Sequence, residues 1–292
     1  MIELFQPDGA LMSYDPHVKT VSRRRDRTGS ELRRNAFTLL ELLVVLATIS
    51  LLVTFLLPAA RKAHAKAQQA FCRSQQRQLV IANMEYAIDH GTFVPAAEDM
   101  FGRNLMRWHG IRDAASQPFD GSRGPLSPYL GEGNQVRICP TLIRALSKNA
   151  QNGFEAACGG YGYNAVGIGS QSYIYGFNER SLSLAMPPEA IGPPTLTIMF
   201  SDTALPQPYN SPDHLIEYSF AEPYYFIDWN EPVELESHTF PSIHFRHEQA
   251  ANVAWADGHI SSEVLSVPFE NEENKFQMGW LGEPSNAYFD LK

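Results

Sequence analysis

Hydrophobic and polar positions divide the chain into stretches of different texture. From Phe37 to Leu57 the residues read FTLLELLVVLATISLLVTFLL, with one charged side chain, Glu41, in twenty-one positions. About 20 consecutive apolar residues are enough for a helix to cross a hydrocarbon core, so the pattern predicts a membrane-spanning helix over 37–57. Beyond Pro58, the positions Ala63, Ala67, Ala70, Ser74, Arg77, Ile81, Met84 and Ile88 recur at alternating steps of four and three. Apart from Arg77 this stripe is small or apolar, and it predicts that the helix continues with a packing face there. The pattern ends at His90-Gly91, where Gly91 suits a left-handed cap and Pro95 follows. A continuous helix over 37–90 would be about 80 Å long. Pro58 lacks a backbone donor and is expected to kink or loosen it.

After Pro95 glycine, proline and aromatic residues dominate, with short apolar runs at 195–200 (TLTIMF) and 251–256 (ANVAWA). These read as strands between loops. Asp257-Gly258 separates Val253-Ala254-Trp255 from Ile260, which predicts a two-residue hairpin turn with positive φ at both central positions. The expected class is α+β: a long helix packed on a mainly antiparallel sheet, with residues 91–292 forming the globular head. Residues 205–212 and 222–240 read as long surface insertions.

Charge adds orientation. Arg23, Arg24, Arg25, Arg27, Arg33 and Arg34 precede the apolar run, whereas Arg61, Lys62 and Lys66 follow it. The more basic flank stays cytoplasmic, so the head is expected outside, with a single pass through the cytoplasmic membrane. Residues 1–36 read as a basic leader, in which Met12 offers a second start. The net charge of the chain is −9, a poor footprint for nucleic acid, which calls for a basic patch. An ordinary signal peptide has a shorter apolar stretch and no acid within it.

That acid is informative because a carboxylate in an apolar span is costly in a bilayer and implies a partner. A cut before Phe37 would create an amino terminus about one helical turn from Glu41, and a neighbouring subunit's terminus could neutralise it. The order Ala36-Phe37-Thr38-Leu39-Leu40-Glu41 resembles the processing site of type IV prepilins and type II secretion pseudopilins, although Ala36 stands where the family usually has glycine. The resemblance implies cleavage between Ala36 and Phe37 by a prepilin peptidase, methylation of the Phe37 amine, and assembly through Glu41 and the helix. Pro58 falls where many pilin helices carry proline.

A second resemblance lies in the head. His247, nine residues and then Asp257-Gly258 match the H-X9-DG pattern of a prepilin-like family, with Cys139-Pro140, Tyr161-Gly162-Tyr163-Asn164, residues 194–202 (PTLTIMFSD) and His244-Phe245-Arg246-His247 around it. The matches run from Phe37 to about Ser262. They imply a pilin-like filament subunit, not an enzyme and without a cofactor, whose partners are the peptidase, like subunits and an inner-membrane assembly platform. The other class to weigh is an exported enzyme or a carbohydrate- or metal-binding module using the same anchor.

Within 247–258 the expected role is structural, with the His247 imidazole holding the Asp257 turn in register. His247 and Asp257 are also the candidates for a cation, with His238, His244, His259 and Asp202 near them in sequence. Cys72, Cys139 and Cys158 would yield one disulfide in an oxidising compartment. Cys139 with Cys158 and Cys139 with Cys72 are both open. Tyr224, Tyr225, Phe226 and Trp229 form an aromatic cluster suited to packing or to a sugar.

Overall fold

The computed structural model describes residues 37–146, 155–207, 213–228, 234–268 and 275–290. The expected leader, Ala36 included, and Trp229 lie outside the described residues. The chain divides into two compact units, one ending at Val53 and the other beginning at Thr54.

One helix, α1, runs through the 52 residues Leu39–His90, and its secondary structure is not interrupted at Pro58. It is long and apolar enough to cross a membrane by length and composition. At its end Gly91 takes a φ of +78° and donates to the Ala87 carbonyl at 2.8 Å, as expected of a helix closed by a left-handed residue.

In the second unit α1 lies against a five-stranded sheet. Its strands are β1 (Tyr161–Asn164), β2 (Ile198–Asp202), β3 (Phe220–Ala221), β4 (Ala250–Trp255) and β5 (Ile260–Val264), in the spatial order β5-β4-β2-β1-β3. All neighbours are antiparallel except β1 and β3. The run at 195–200 supplies β2 only from Ile198 onward, residues 195–197 being turn and bend, and the run at 251–256 supplies β4, so the two give neighbouring interior strands; a long helix with a mainly antiparallel sheet makes the class α+β. Leu79, Val80 and Ala87 of α1 share a core with Tyr161, Tyr163, Phe200 and Ala254. Tyr163 stacks on Phe200 at 4.9 Å. Ala251, Val253 and Trp255 join a second core with Phe245 and Phe289, the alternation required of a strand buried on both faces.

The helix face in this core differs from the expected one. The buried positions are Cys72, Gln75, Gln76, Leu79, Val80, Ala82, Asn83 and Ala87, whereas Ala63, Ala67, Ala70, Ser74, Arg77, Ile81 and Ile88 are exposed and Met84 is half-buried. Ile88 remains 83% exposed. Polar groups explain the offset. Asn83 donates to the Tyr163 hydroxyl at 3.1 Å and accepts from the Val94 amide at 2.9 Å. Polar residues whose hydrogen bonds are satisfied inside can occupy the docked face, and a search for apolar periodicity overlooks them.

The stretches expected as surface insertions are hairpins where they are described. Leu205–Gln207 pairs with His214–Ile216, and Tyr225–Ile227 with Glu234–His238, both antiparallel. Leu205, Leu215 and Ile227 are buried. Apolar residues on one face of each hairpin draw it onto the core. Tyr224 packs on Trp280 at 4.8 Å, as expected of structural packing.

The hairpin turn between β4 and β5 has a different form from the one expected. Gly258 alone has a positive φ there, +92°, while Gly258 N donates to Trp255 O and Trp255 N donates to His259 O. This is a three-residue loop, a turn followed by a left-handed glycine. A Cβ at Gly258 would meet nothing closer than 3.8 Å, so the demand for glycine comes from the backbone. Gly258→Val should therefore destabilise the head by about 1–3 kcal/mol. A fall in melting temperature followed by tryptophan fluorescence checks this, and an unchanged value would contradict it.

Candidate functional site

The residues of highest chemical potential meet where α1 docks on the sheet. Cys72 and Gln76 are one turn apart on α1 and therefore share a face. Cys139 immediately precedes a short helix, α2 (Pro140–Ala145), whose first position is proline. Asp202 ends β2. Arg246 and His247 come from the segment before β4, and all six side chains are buried.

A strained turn aims the last two. His247 and Ala250 exchange both backbone hydrogen bonds, at 2.9 and 3.1 Å, across Glu248 and Gln249, whose φ angles are +55° and +66°. The pair of positive φ values expected at Asp257-Gly258 occurs here instead, on residues that adopt it at a cost. The turn points His247 away from Asp257. β4 separates the two, and a six-residue strand is roughly 20 Å long. His247 therefore does not hold the Asp257 turn in register; its Nε2 lies 3.4 Å from Asp202 Oδ2 and 3.7 Å from Cys139 Sγ. Asp257 Oδ1 instead bonds the His259 ring, 2.6 Å away and partly exposed.

Asp202 is the hub. Its Oδ1 accepts from Arg246 Nη2 at 2.8 Å and from Gln76 Nε2 at 3.2 Å, and its Oδ2 accepts from the Asn252 amide at 2.7 Å. Arg246 also donates to the carbonyls of Gly160 and Thr203 and, through Nε, to Cys139 Sγ at 3.3 Å. Burial opposes the Arg246 cation, but Asp202 and Cys139 outweigh it and raise its pKa. The hydrogen bond from Cys72 and the charge of Arg246 hold Cys139 well below the ordinary thiol value. The same hydrogen bond, with burial, raises Cys72. The sulfurs of Cys72 and Cys139 lie 2.9 Å apart. Cys158 sits elsewhere, its sulfur 3.7 Å from Glu217, and all three cysteines are free thiols.

Cys72, Cys139 and His247 also offer three ligand atoms within 4.8 Å of one another. Two thiolates on one tetrahedral zinc, with bonds of ~2.3 Å, stand about 3.7 Å apart. The observed sulfurs are closer than that, and Arg246 places a cation beside one of them. The arrangement fits a metal poorly. His238, packed at 5.6 Å from Trp280, and the exposed His259 belong to other surroundings.

What these groups do together is hold α1 in one register on the sheet. They are buried, so their chemistry faces the protein. Asp202, Arg246 and the polar helix residue Gln76 carry much of this docking; of the three, Gln76 had no signal in the apolar period, while Asp202 and Arg246 stood inside quoted motifs. A charge left alone in such a place costs about 3–5 kcal/mol. Arg246→Met should lower stability by that amount, and Arg246→Met combined with Asp202→Asn should cost less than the sum of the two single changes. Denaturant melts of the four proteins measure the difference.

At the start of α1, Thr38 N and Oγ1 each donate to Glu41 Oε2 at 2.9 Å, and Glu41 N donates to Thr38 Oγ1 at 3.2 Å. This is a reciprocal capping box at the start of α1. The spacing Thr38-x-x-Glu41 carries that signal in the sequence, beside the reading of Glu41 as a partner for an amino terminus. Comparison of the chain with family models, with curated proteins and with solved structures returns no match.

Proposed function

We propose that this chain is a pilin-like filament subunit of a type II secretion or type IV pilus-like system. The carrying observation is the run Phe37–Leu57, apolar but for Glu41 and continued as α1 to His90, against whose far half the β-rich head is packed. A prepilin peptidase removes residues 1–36 and the Phe37 amine is methylated. The basic leader side remains cytoplasmic and the head is exported. An inner-membrane assembly platform then draws the helices of like subunits together, so that surfaces held in lipid become buried against one another.

Two features support this reading. Apart from the half-buried Met84 the stripe from Ala63 to Ile88 is exposed, and apart from Arg77 it is small or apolar like the span, so it is available to a neighbouring subunit. Glu41 has hydrogen bonds from Thr38, yet a carboxylate can accept from further donors, and the amine of a neighbour's Phe37 supplies a cation.

Mass spectrometry of the amino-terminal peptide tests processing. The expected peptide begins at Phe37 and is one methyl group heavier than its sequence. A chain that begins near Lys66 or Gln68, or one that retains residues 1–36, overturns the proposal.

Glu41→Gln separates the two uses of this side chain, since glutamine also serves the third position of a capping box. Insertion should be unchanged and filament recovery should fall at least roughly tenfold, a loss on the order of 1.4 kcal/mol in pairing. Membrane fractionation and filament shearing read the two steps, and normal filament yield would remove Glu41 from the assembly contact.

A further inference from the structure

The contact between the two sulfurs of the junction has a chemical consequence. Cys72 and Cys139 are 67 residues apart in the chain, yet their sulfur atoms stand 2.9 Å apart in a buried site. A disulfide bond is ~2.05 Å long, so closing it needs a relative movement of under about 1 Å. Zinc coordination would need the sulfurs to separate by a similar distance and would bring a dication to a site where Arg246 already stands. Cys158, the other possible partner of Cys139, donates toward Glu217 Oε2 at 3.7 Å, an oxygen that also accepts from the Gly159 amide at 2.8 Å.

We propose that Cys72 and Cys139 form a disulfide that staples α1 to the head, with Cys139 the attacking sulfur and Arg246 and His247 the residues that position it as a thiolate. Arg246 Nε at 3.3 Å and His247 Nε2 at 3.7 Å both face that sulfur. Asp202 anchors the guanidinium on its other edge. The pKa of Cys139 is lowered first by the Cys72 hydrogen bond and then by the Arg246 charge and His247, in agreement with this geometry, since the thiolate is the nucleophile.

The oxidant is a small or protein disulfide, such as oxidised glutathione. The Cys139 thiolate attacks one of its sulfurs, a mixed disulfide forms and one thiolate leaves. Cys72 then gives up its proton, its sulfur attacks that of Cys139, and the second thiolate leaves. Two electrons pass to the oxidant, which departs as two thiols once protonated, and the protein gains one S–S bond. Because both sulfurs are buried in the docked state, the oxidant reaches Cys139 while the junction is open during folding, and the second attack follows when docking brings the Cys72 sulfur to it. The closed bond then constrains a long loop of chain.

The pairing goes beyond the filament reading and does not rest on it, because an added oxidant can be used wherever the chain resides in a cell. The test uses the full chain in detergent, unfolded with reductant and refolded in oxidised and reduced glutathione, then alkylated in denaturant and digested with trypsin without reduction. The expected product links Ala67–Arg73 to Ile138–Arg144, with Cys158 alkylated. Reduction should lower the melting temperature by roughly 10 °C, and Cys158→Ala should leave the linked peptide unchanged.

A link from Cys139 to Cys158, alkylation of all three cysteines, or one tightly held zinc per chain protecting Cys72 and Cys139 would each overturn the proposal. For the positioning role, the readout is thiolate ultraviolet absorbance of the reduced Cys158→Ala protein against pH. It should persist well below the ordinary thiol value of about 8.5, and after Arg246→Gln it should appear at a higher pH than in the parent. An intact near-ultraviolet dichroism spectrum shows that the variant is folded; if Arg246→Gln fails to fold, His247→Asn should show the same shift more weakly. Absence of thiolate at neutral pH in the parent would remove Arg246 and His247 from the mechanism.

Discussion

The buried carboxylate of Asp202 is the constraint from which the docking of α1 follows. A charge without water must be matched by a countercharge and by hydrogen bonds, or the site is lost. Arg246 supplies the countercharge, and Gln76 and the Asn252 amide complete the acceptor sites. Because Gln76 is on α1, satisfying Asp202 also selects which face of the helix meets the sheet. Sliding or rotating α1 by one residue would leave Asp202 and Gln76 short of partners, so a polar network specifies a register that the apolar contacts around it would tolerate less strictly.

The motif spacing from His247 to Asp257 has a simple geometric meaning. The interval contains a two-residue turn, the six residues of β4 and the first position of the next loop. It therefore measures one strand with a turn at either end. The two named residues stand at opposite ends of β4 and serve different needs: His247 enters the junction, while Asp257 shapes the loop whose glycine must be left-handed. A motif written as one unit is, in the folded protein, two separate local devices held apart by a rigid strand.

The long helix likewise uses one secondary structure for different purposes. Its first turn is closed by Thr38 and Glu41, its next turns present aliphatic side chains, and its later turns mix leucine, valine and alanine with Gln76 and Asn83 against the head. Helical geometry permits this change because each face is set independently by its own residues. The exposed stripe from Ala63 to Ile88 and the buried one from Cys72 to Ala87 lie on different sides of the same turns.

By itself the sequence determined the features that depend on neighbouring residues: the apolar length of 37–57, the end of α1 at His90, strands near the runs at 195–200 and 251–256, observed at 198–202 and 250–255, and a glycine turn at 258. Helical period, strand alternation and backbone sterics act over a few residues and are readable there. Tertiary structure decided the partners. Gln76 meets Asp202 across 126 residues of chain, Cys139 meets Cys72 across 67 and His247 across 108, and no local period encodes those distances. The face that docks on the head was unreadable for the same reason: Gln76 and Asn83 look solvent-exposed until a distant part of the chain brings in the groups that accept from their amides. Burial of a polar residue depends on whether a hydrogen-bonding partner waits inside, and only the assembled fold supplies that partner.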